Sequence, residues 1–439
     1  MVDNAHRELG NRSDVGGPKA AGVFRIACQR GLLLAAGPLL ACLLVEVGLR
    51  LATIRFDASF FTSDPDLGWA LRPNAEGWNV SGSGKYIRIN SDGMRDKERS
   101  VPKPPHSFRI AVLGDSATEA IQVALEDTFP SRLERQLAHC PSMQGRTVEV
   151  LNFGVAGYGT AQELLMLRGK VRKYQPDLVL LEFYFGNDLS DNLRELDYTK
   201  PGGRPYFVEK DGRLVLEDSF QHLPRMQPDA IRLHNWLADL MNHSRLLMLL
   251  ESATTKLHAI RGETFPKPDP LLPENYIETV MYVPPRSPFA VQTWRVTEGM
   301  LLMLRDEARS QGAGFLLLDF PMRMQISADR QTQQDFMRKA GIDTLSYPNL
   351  RLESFAQQHG IAYLPLRNPV ADYVLQHHRS VTVSAGHFDE VGHGIVADVL
   401  YDYVCNRVDQ LLVHPISSNR IDPSVKYPHQ GHASRSCGD

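Results

Sequence analysis

Cysteine is scarce in this chain of 439 residues: there are five, too few and too far apart for the disulfide framework that staples small secreted domains. A single Cys140–Cys405 bridge is possible, but nothing in the sequence argues for it. An excess of charge of one sign is also missing. With 48 Lys+Arg against 51 Asp+Glu, the net charge is −3, which excludes a dedicated nucleic-acid binder with its large basic surplus. No internal repeat occurs. The 23% charged and 8% aromatic residues exclude wholesale disorder. Length alone allows up to three domains at roughly 150 residues each.

Long hydrophobic runs are rare too, and the one present is informative. Gly31 to Leu49, GLLLAAGPLLACLLVEVGL, carries Glu46 as its only charge. A helix of that length spans about 28 Å, close to the hydrocarbon core of a bilayer. Glu46 lies near one end, and Pro38 bends such a helix without forbidding it. We read residues 31–52 as a retained transmembrane helix. A cleaved signal peptide is the rival reading, but a polar leader of about thirty residues precedes the run and no small-residue cleavage site follows it. A buried core helix is the third. Lys19, Arg25 and Arg30 before the run, against Arg50 and Arg55 after it, favour a cytoplasmic leader (1–30, disordered) and an extracytoplasmic body.

Residues 56–105 are rich in Gly, Asn, Ser and Asp, which predicts turns and short strands, a preface rather than a domain. From 106 to 411 apolar strand-like runs alternate with helix-period stretches. The strands are predicted at Arg109–Leu113, Val148–Phe153, Leu178–Phe183, Phe315–Phe320 and Ile361–Leu364. Helices are predicted between and after them at about 126–138, 160–174, 293–311, 329–340, 350–359 and 391–411. This alternation implies an α/β fold with a central parallel sheet covered on both faces. An insertion at 189–290 interrupts it. There Lys210-Asp211-Gly212 signals a hairpin, Ile231–Leu250 reads as one amphipathic helix, and a proline-rich stretch follows. Residues 412–439 form a polar tail.

The chemistry-bearing residues fall at strand ends. Gly114-Asp115-Ser116 follows the first strand, placing a serine at a helix N-terminus where open α/β sheets hold their ligands. Taken alone, the tripeptide is equally well an N-cap. Gly157 follows the second strand and Asn187 the third. A backbone N–H and a side-chain amide N–H are the donors that an oxyanion hole needs, although each residue alone also suits a tight turn or cap. Far downstream lies Ser384-Ala385-Gly386-His387-Phe388-Asp389-Glu390-Val391-Gly392-His393.

Together, in this order, Gly114-Asp115-Ser116, Gly157, Gly186-Asn187-Asp188 and the late Gly-His-Phe-x-x-x-Gly-His block resemble the SGNH/GDSL hydrolases. The preface, with Asp66-Leu67-Gly68-Trp69 and Asn90-Ser91-Asp92-Gly93-Met94-Arg95-Asp96, is similar to membrane-anchored bacterial members. The resemblance implies a three-layer flavodoxin-like sandwich and a serine esterase without cofactor or metal. Ser116 would be the nucleophile and His387 the base. The Ser116 backbone, Gly157 and Asn187 would form the oxyanion hole. His393 would not be catalytic, Asp389 would cap the last helix, and Asp115 would shape the nucleophile turn. His377-His378 lacks a convincing third ligand and reads as a solvated pair.

One position departs from the family. Its usual acid, three residues before the histidine, is here Ser384. A Ser384 hydroxyl or a backbone carbonyl can orient His387, but neither supplies charge. A Ser–His dyad, an acid recruited from elsewhere and a weakened enzyme all stay open. The leading functional expectation is a membrane-anchored, extracytoplasmic ester hydrolase that removes short acyl groups from a glycan or another envelope ester. The alternatives are an O-acyltransferase acting on such a glycan and a non-catalytic envelope scaffold. The expected partners are an acylated small molecule or polysaccharide and the membrane, with no nucleic acid. Oligomeric state stays open.

Overall fold

The structure, a computed structural model, describes residues 19–80, 82–195, 203–261, 281–383 and 386–412. It opens with helix α1 (Lys19–Leu51), which contains Pro38. Two antiparallel hairpins follow, β1 (Phe61–Asp64) with β2 (Gly68–Leu71), and β3 (Glu76–Asn79) with β4 (Lys85–Arg88). The main domain then runs β5 (Ser107–Leu113), α2 (Ser116–Glu119), α3 (Phe129–Leu137), β6 (Thr147–Asn152), α4 (Thr160–Gly169), β7 (Leu178–Tyr184) and α5 (Asp188–Asp191). Within the insertion come β8 (Tyr206–Lys210), β9 (Arg213–Glu217), α6 (Pro228–His243) and α7 (Arg245–Ile260). The domain resumes with α8 (Pro288–Ser310), β10 (Gly314–Phe320), α9 (Arg330–Ala340), α10 (Tyr347–Gln358), β11 (Ala362–Pro365), α11 (Arg367–His377) and α12 (Glu390–Cys405).

The five strands β11-β10-β7-β5-β6 form one sheet, and every pairing in it is parallel. Strands of a covered parallel sheet bury both faces, so they read as continuous apolar runs such as Leu178-Val179-Leu180-Leu181. Alternate residues go to opposite sides. Ala111, Leu113, Val179, Leu181 and Leu317 join a core with α4, α8 and the preface. Ile110, Val112, Leu178, Leu180 and Leu316 join a second core with α3, α11 and α12. The result is the expected three-layer sandwich, in flavodoxin-like strand order.

The differences from expectation are local. Helix α1 starts at Lys19, inside the stretch expected to be disordered; the segment Ala20-Ala21-Gly22-Val23-Phe24 holds no helix breaker stronger than one glycine. The single helix expected over Ile231–Leu250 is two helices that break at Ser244. There the α1 carboxylate of Glu46 accepts from the Ser244 hydroxyl at 3.0 Å and from the Arg245 and Leu246 N–H groups at 3.1 and 2.9 Å. A carboxylate on free helical N–H groups starts a new helix. Helix α11 was not expected. The Asp-Gly hairpin forms as expected, with φ of 51° at Asp211 and 72° at Gly212. Among the described residues no helix is long and apolar enough to cross a membrane; the side chains of residues 31–35, which open the apolar run, lie outside them. The proline-rich stretch, the tail beyond residue 412 and the leader before residue 19 also lie outside the described residues.

Cys140 and Cys405 are bonded to each other, with Cα atoms 5.8 Å apart. The bridge ties the chain just beyond α3 to the last residue of α12, two helices already packed through Leu133, Leu137, Val396 and Leu400. Closing so long a loop restricts the unfolded chain. The Cys140→Ser/Cys405→Ser variant is expected to lose about 2–4 kcal/mol of stability, read as a lower denaturation midpoint. An unchanged midpoint under non-reducing conditions would show that the bridge adds nothing.

Candidate active site

In the strand order above, β5 lies between β6 and β7, so the chain leaves it on one side and returns on the other. This is the point where open α/β sheets leave a crevice at their carboxyl ends. Ser116, the first residue of α2, sits there. Asp115 caps that short helix, its carboxylate accepting from the Ala117 N–H at 2.7 Å. The crevice narrows to a cavity of about 20 Å³ beside Ser116, walled by Tyr184, Phe320, Pro321, Gly386, His387 and Phe388.

His387 reaches the serine from a loop far along the chain. Its Nε2 lies 2.8 Å from the Ser116 Oγ. The loop is fixed on both sides of the ring: the Val383 N–H donates to the His387 carbonyl at 2.7 Å, and the Asp389 N–H to the Val381 carbonyl at 2.8 Å. Phe388 is buried against Phe320. Asp389 then caps α12, accepting from the Val391 and Gly392 N–H groups, both at 2.9 Å. With Nε2 unprotonated, the ring is placed to accept the hydroxyl proton of Ser116.

Asn187 and Gly157 border the same point. The Asn187 Nδ2 donates to the Asp115 carboxylate at 2.8 Å and lies 3.5 Å from the Tyr158 carbonyl. The side chain therefore stands between the neighbour of Ser116 and the neighbour of Gly157. Because a carboxylate only accepts, Asp115 fixes which end of the amide faces it. The 3.5 Å contact is at the limit of a hydrogen bond, so the second N–H of Nδ2 stays available to a stronger acceptor. Gly157 has φ of 76°, a conformation that favours glycine. A Cβ at Gly154 would come within 2.5 Å of the Glu119 nitrogen, so a glycine there lets the second turn approach α2. A serine, a histidine on its hydroxyl and an amide donor held beside them are equipment of acyl transfer.

A family model described as GDSL-like lipase/acylhydrolase matches residues 110–269. Over these residues the chain carries a GDSL-like acylhydrolase domain. It is a hydrolase of ester bonds. Solved structures similar to it include an acetylxylan esterase from Geobacillus stearothermophilus, at 12% identity over 69% of this chain and 96% of that one, with a TM-score of 0.34. A G-D-S-L family lipolytic protein from Veillonella parvula matches at 10% identity over 67% and 97%, with a TM-score of 0.33. A two-domain esterase active on acetylated mannans matches at 11% over 73% and 53%, with a TM-score of 0.34. Likeness this distant does not bear on substrate. No curated protein matches.

Several residues that support this acylhydrolase site were not legible in the sequence. Arg95 of the preface is buried and donates to the Glu119, Ala120 and Val123 carbonyls at 2.8, 2.6 and 2.5 Å, closing the end of the nucleophile helix. The Trp69 indole N–H donates to the Ala156 carbonyl at 3.1 Å, and the Tyr158 hydroxyl to the Trp69 carbonyl at 2.6 Å. The preface is thus a brace on the Gly154–Gly159 turn. The Asn-Ser-Asp-Gly-Met-Arg-Asp block was the available signal. Ser384 lies outside the described residues. His393 is buried, stacked on Phe129, and its Nδ1 accepts from the Phe129 N–H at 3.3 Å, which makes it part of the core. His377 and His378 are exposed, and no metal-binding cluster of His, Cys, Asp or Glu occurs among the described residues.

Beneath the site lies a group of buried carboxyls. The Glu182 Oε2 accepts from the Asp115 N–H and the Thr118 hydroxyl, both at 3.1 Å; Glu163 and Asp188 are also buried. Burial, reinforced by one another's charge, pushes Glu163, Glu182 and Asp188 well above the usual carboxylate range. Asp115 is raised by burial against the pull of the Ala117 N–H and Asn187. Burial thus favours the protonated form of Glu182, while the Asp115 carboxylate accepts from the Ala117 N–H and Asn187. Burial also lowers His393 to about 3.

These shifts fix a stability profile. Acids raised above their unfolded values hold protons that the unfolded chain gives up, so their contribution falls as pH rises. The lowered His393 has the opposite sign, and its contribution is complete above its ordinary 6.5. As pH rises above the ordinary 6.5 of His393, the thermal midpoint is therefore expected to fall, and to fall less steeply in Glu182→Gln. A flat or rising wild-type curve would contradict this assignment of protons.

Proposed function

We propose that this GDSL acylhydrolase is a membrane-anchored, extracytoplasmic serine esterase that removes short acyl groups from an envelope glycan or a similar ester. The observation that carries the catalytic part is the 2.8 Å contact between the His387 Nε2 and the Ser116 Oγ at the mouth of the crevice. Ser116 attacks the ester carbonyl as His387 takes its proton. The Ser116 and Gly157 N–H groups and the Asn187 amide hold the oxyanion. As the tetrahedral intermediate collapses, His387 returns the proton to the leaving alcohol. Water, deprotonated by the same ring, then frees the acid from the acyl-enzyme.

Short acyl groups follow from size. A cavity of about 20 Å³ beside the serine, little more than the space of one water molecule, supports a short acyl group over a long chain. Two features support the location. The apolar run of α1 is long enough to span a bilayer by the arithmetic of its residues, and the Cys140–Cys405 bond suits an oxidising compartment. A glycan is the ester-bearing polymer within reach of an enzyme held there.

The test is hydrolysis of p-nitrophenyl esters of increasing chain length, followed by acetate release from an acetylated polysaccharide. The kcat/KM is expected to fall at least about tenfold from acetate to octanoate, because the added methylenes must displace the walls beside the serine to fit. Tyr184→Ala is expected to narrow that gap. A preference for octanoate would sink the short-acyl reading. Acyl groups passed to an added sugar in preference to water would make the enzyme a transferase. Free thiols at Cys140 and Cys405 in chain trapped directly from cells would contradict the extracytoplasmic placement.

A further inference from the structure

The insertion carries an amphipathic pattern turned outward. Helix α6 meets the body through its polar side. Arg72 donates to the Asn235 carbonyl and pairs with Asp239, and the Asn242 amide exchanges hydrogen bonds of 2.9 and 3.0 Å with the Ser59 backbone. On the opposite side Leu233, Trp236, Leu237 and Leu240 are all exposed, Trp236 by 61%. At 100° per residue these four fall within about 100° of arc. Helix α7 repeats the arrangement. Met248 is buried, while Leu249, Leu250, Leu257 and Ile260 form an exposed stripe, Ile260 by 82%. Stripes of this kind are laid against something apolar in the working protein.

Two observations say what. First, both helices are fastened at their junction to α1, through Glu46 on Ser244, Arg245 and Leu246 and through Arg50, which donates to the His243 carbonyl at 2.7 Å. On α1 itself Leu39, Leu40, Leu43, Leu44 and Val47 are exposed, so the apolar surface passes from α1 onto the hairpin at this clasp. Second, exposed Arg232, Lys256 and Arg261 accompany the stripes. Cations and a tryptophan beside leucines are the composition of helices that lie in the headgroup zone of a bilayer.

We propose that the α6–α7 hairpin is a second membrane contact. It lies flat in the bilayer surface at the foot of α1 and sets the catalytic domain at a fixed height and tilt above the lipid. This rests on the reading of α1 as an anchor, and the experiment separates the two. The full chain is reconstituted in liposomes of phosphatidylcholine brominated near the headgroup end of its acyl chains, and its tryptophan emission is compared with that of Trp236→Phe. Trp69 and Trp294 are buried and Trp78 is half-buried; all three are common to both proteins, so the difference between them isolates Trp236. The emission that the substitution removes is expected to be quenched about twofold or more in brominated lipid, as for a side chain at the interface. Equal turnover of a soluble ester shows that both proteins are folded.

Failure to quench the Trp236 component in a chain that resists extraction by alkaline carbonate would overturn the second contact and leave the anchor. Release of the chain by carbonate would overturn the anchor, and quenching of Trp236 on added vesicles would then support the surface contact by itself. A cross-link between Trp236-bearing faces of two copies, with no quenching, would assign the surface to a dimer and overturn the proposal.

Discussion

The Asp115 carboxylate is the constraint on which the rest of the site depends. One of its oxygens accepts from the Ala117 N–H, fixing the turn that starts the nucleophile helix, and the other accepts from the Asn187 amide. Two strand ends, those of β5 and β7, are thereby held to each other at a buried acceptor. Burial holds its neighbour Glu182 well above the usual carboxylate range, which favours this arrangement, since like charges in a dry interior destabilise each other. The glycine turns, the buried Glu182 and the Arg95 brace all serve to keep this short helix and its neighbours in place. Function and core cannot be separated here, because the polar network is packed between the two apolar layers.

Much of the fold was legible because its signal is periodic. The central strands β5, β7 and β10 are buried, mainly apolar runs bounded by turn residues, and the edge strands β6 and β11 carry shorter ones. The Asp211-Gly212 hairpin was legible for a related reason, since local φ preferences decide it. Ser116, Gly157, Asn187 and His387 were legible as a set because parallel sheets deliver chemistry at the carboxyl ends of strands. What stayed hidden depends on partners far away in sequence. Arg95 looks like one more surface cation in a Gly/Asn/Asp-rich stretch until three carbonyls of the nucleophile segment surround it. Glu182 interrupts an apolar strand without indicating which neighbour shares its burial. The break at Ser244 is invisible in the helical period because Glu46, almost two hundred residues earlier, caps the second helix. Helix α11, with Pro369 in its first turn and a weak stripe, offered little period to read.

The segments outside the sandwich have physical tasks as well. The preface reaches from the foot of α1 to the Gly154–Gly159 turn and the end of the nucleophile helix, so it links α1 to the segment that carries Ser116. The insertion is tied back to that preface through Arg72 and Ser59 and to α1 through Glu46. The candidate site and α1 are therefore joined by one continuous set of contacts rather than a loose linker. The disulfide between the end of α3 and α12 fixes the helix that follows the His387 loop.

The central claim is that Ser116, activated by His387, is the group that forms the acyl-enzyme. Covalent labelling with a fluorophosphonate, read by intact mass and peptide mapping on the full chain, tests it most directly. The account requires one adduct, on Ser116, absent from Ser116→Ala and formed far more slowly by His387→Ala. An adduct that persists in Ser116→Ala, or a folded wild type that takes none, would contradict it.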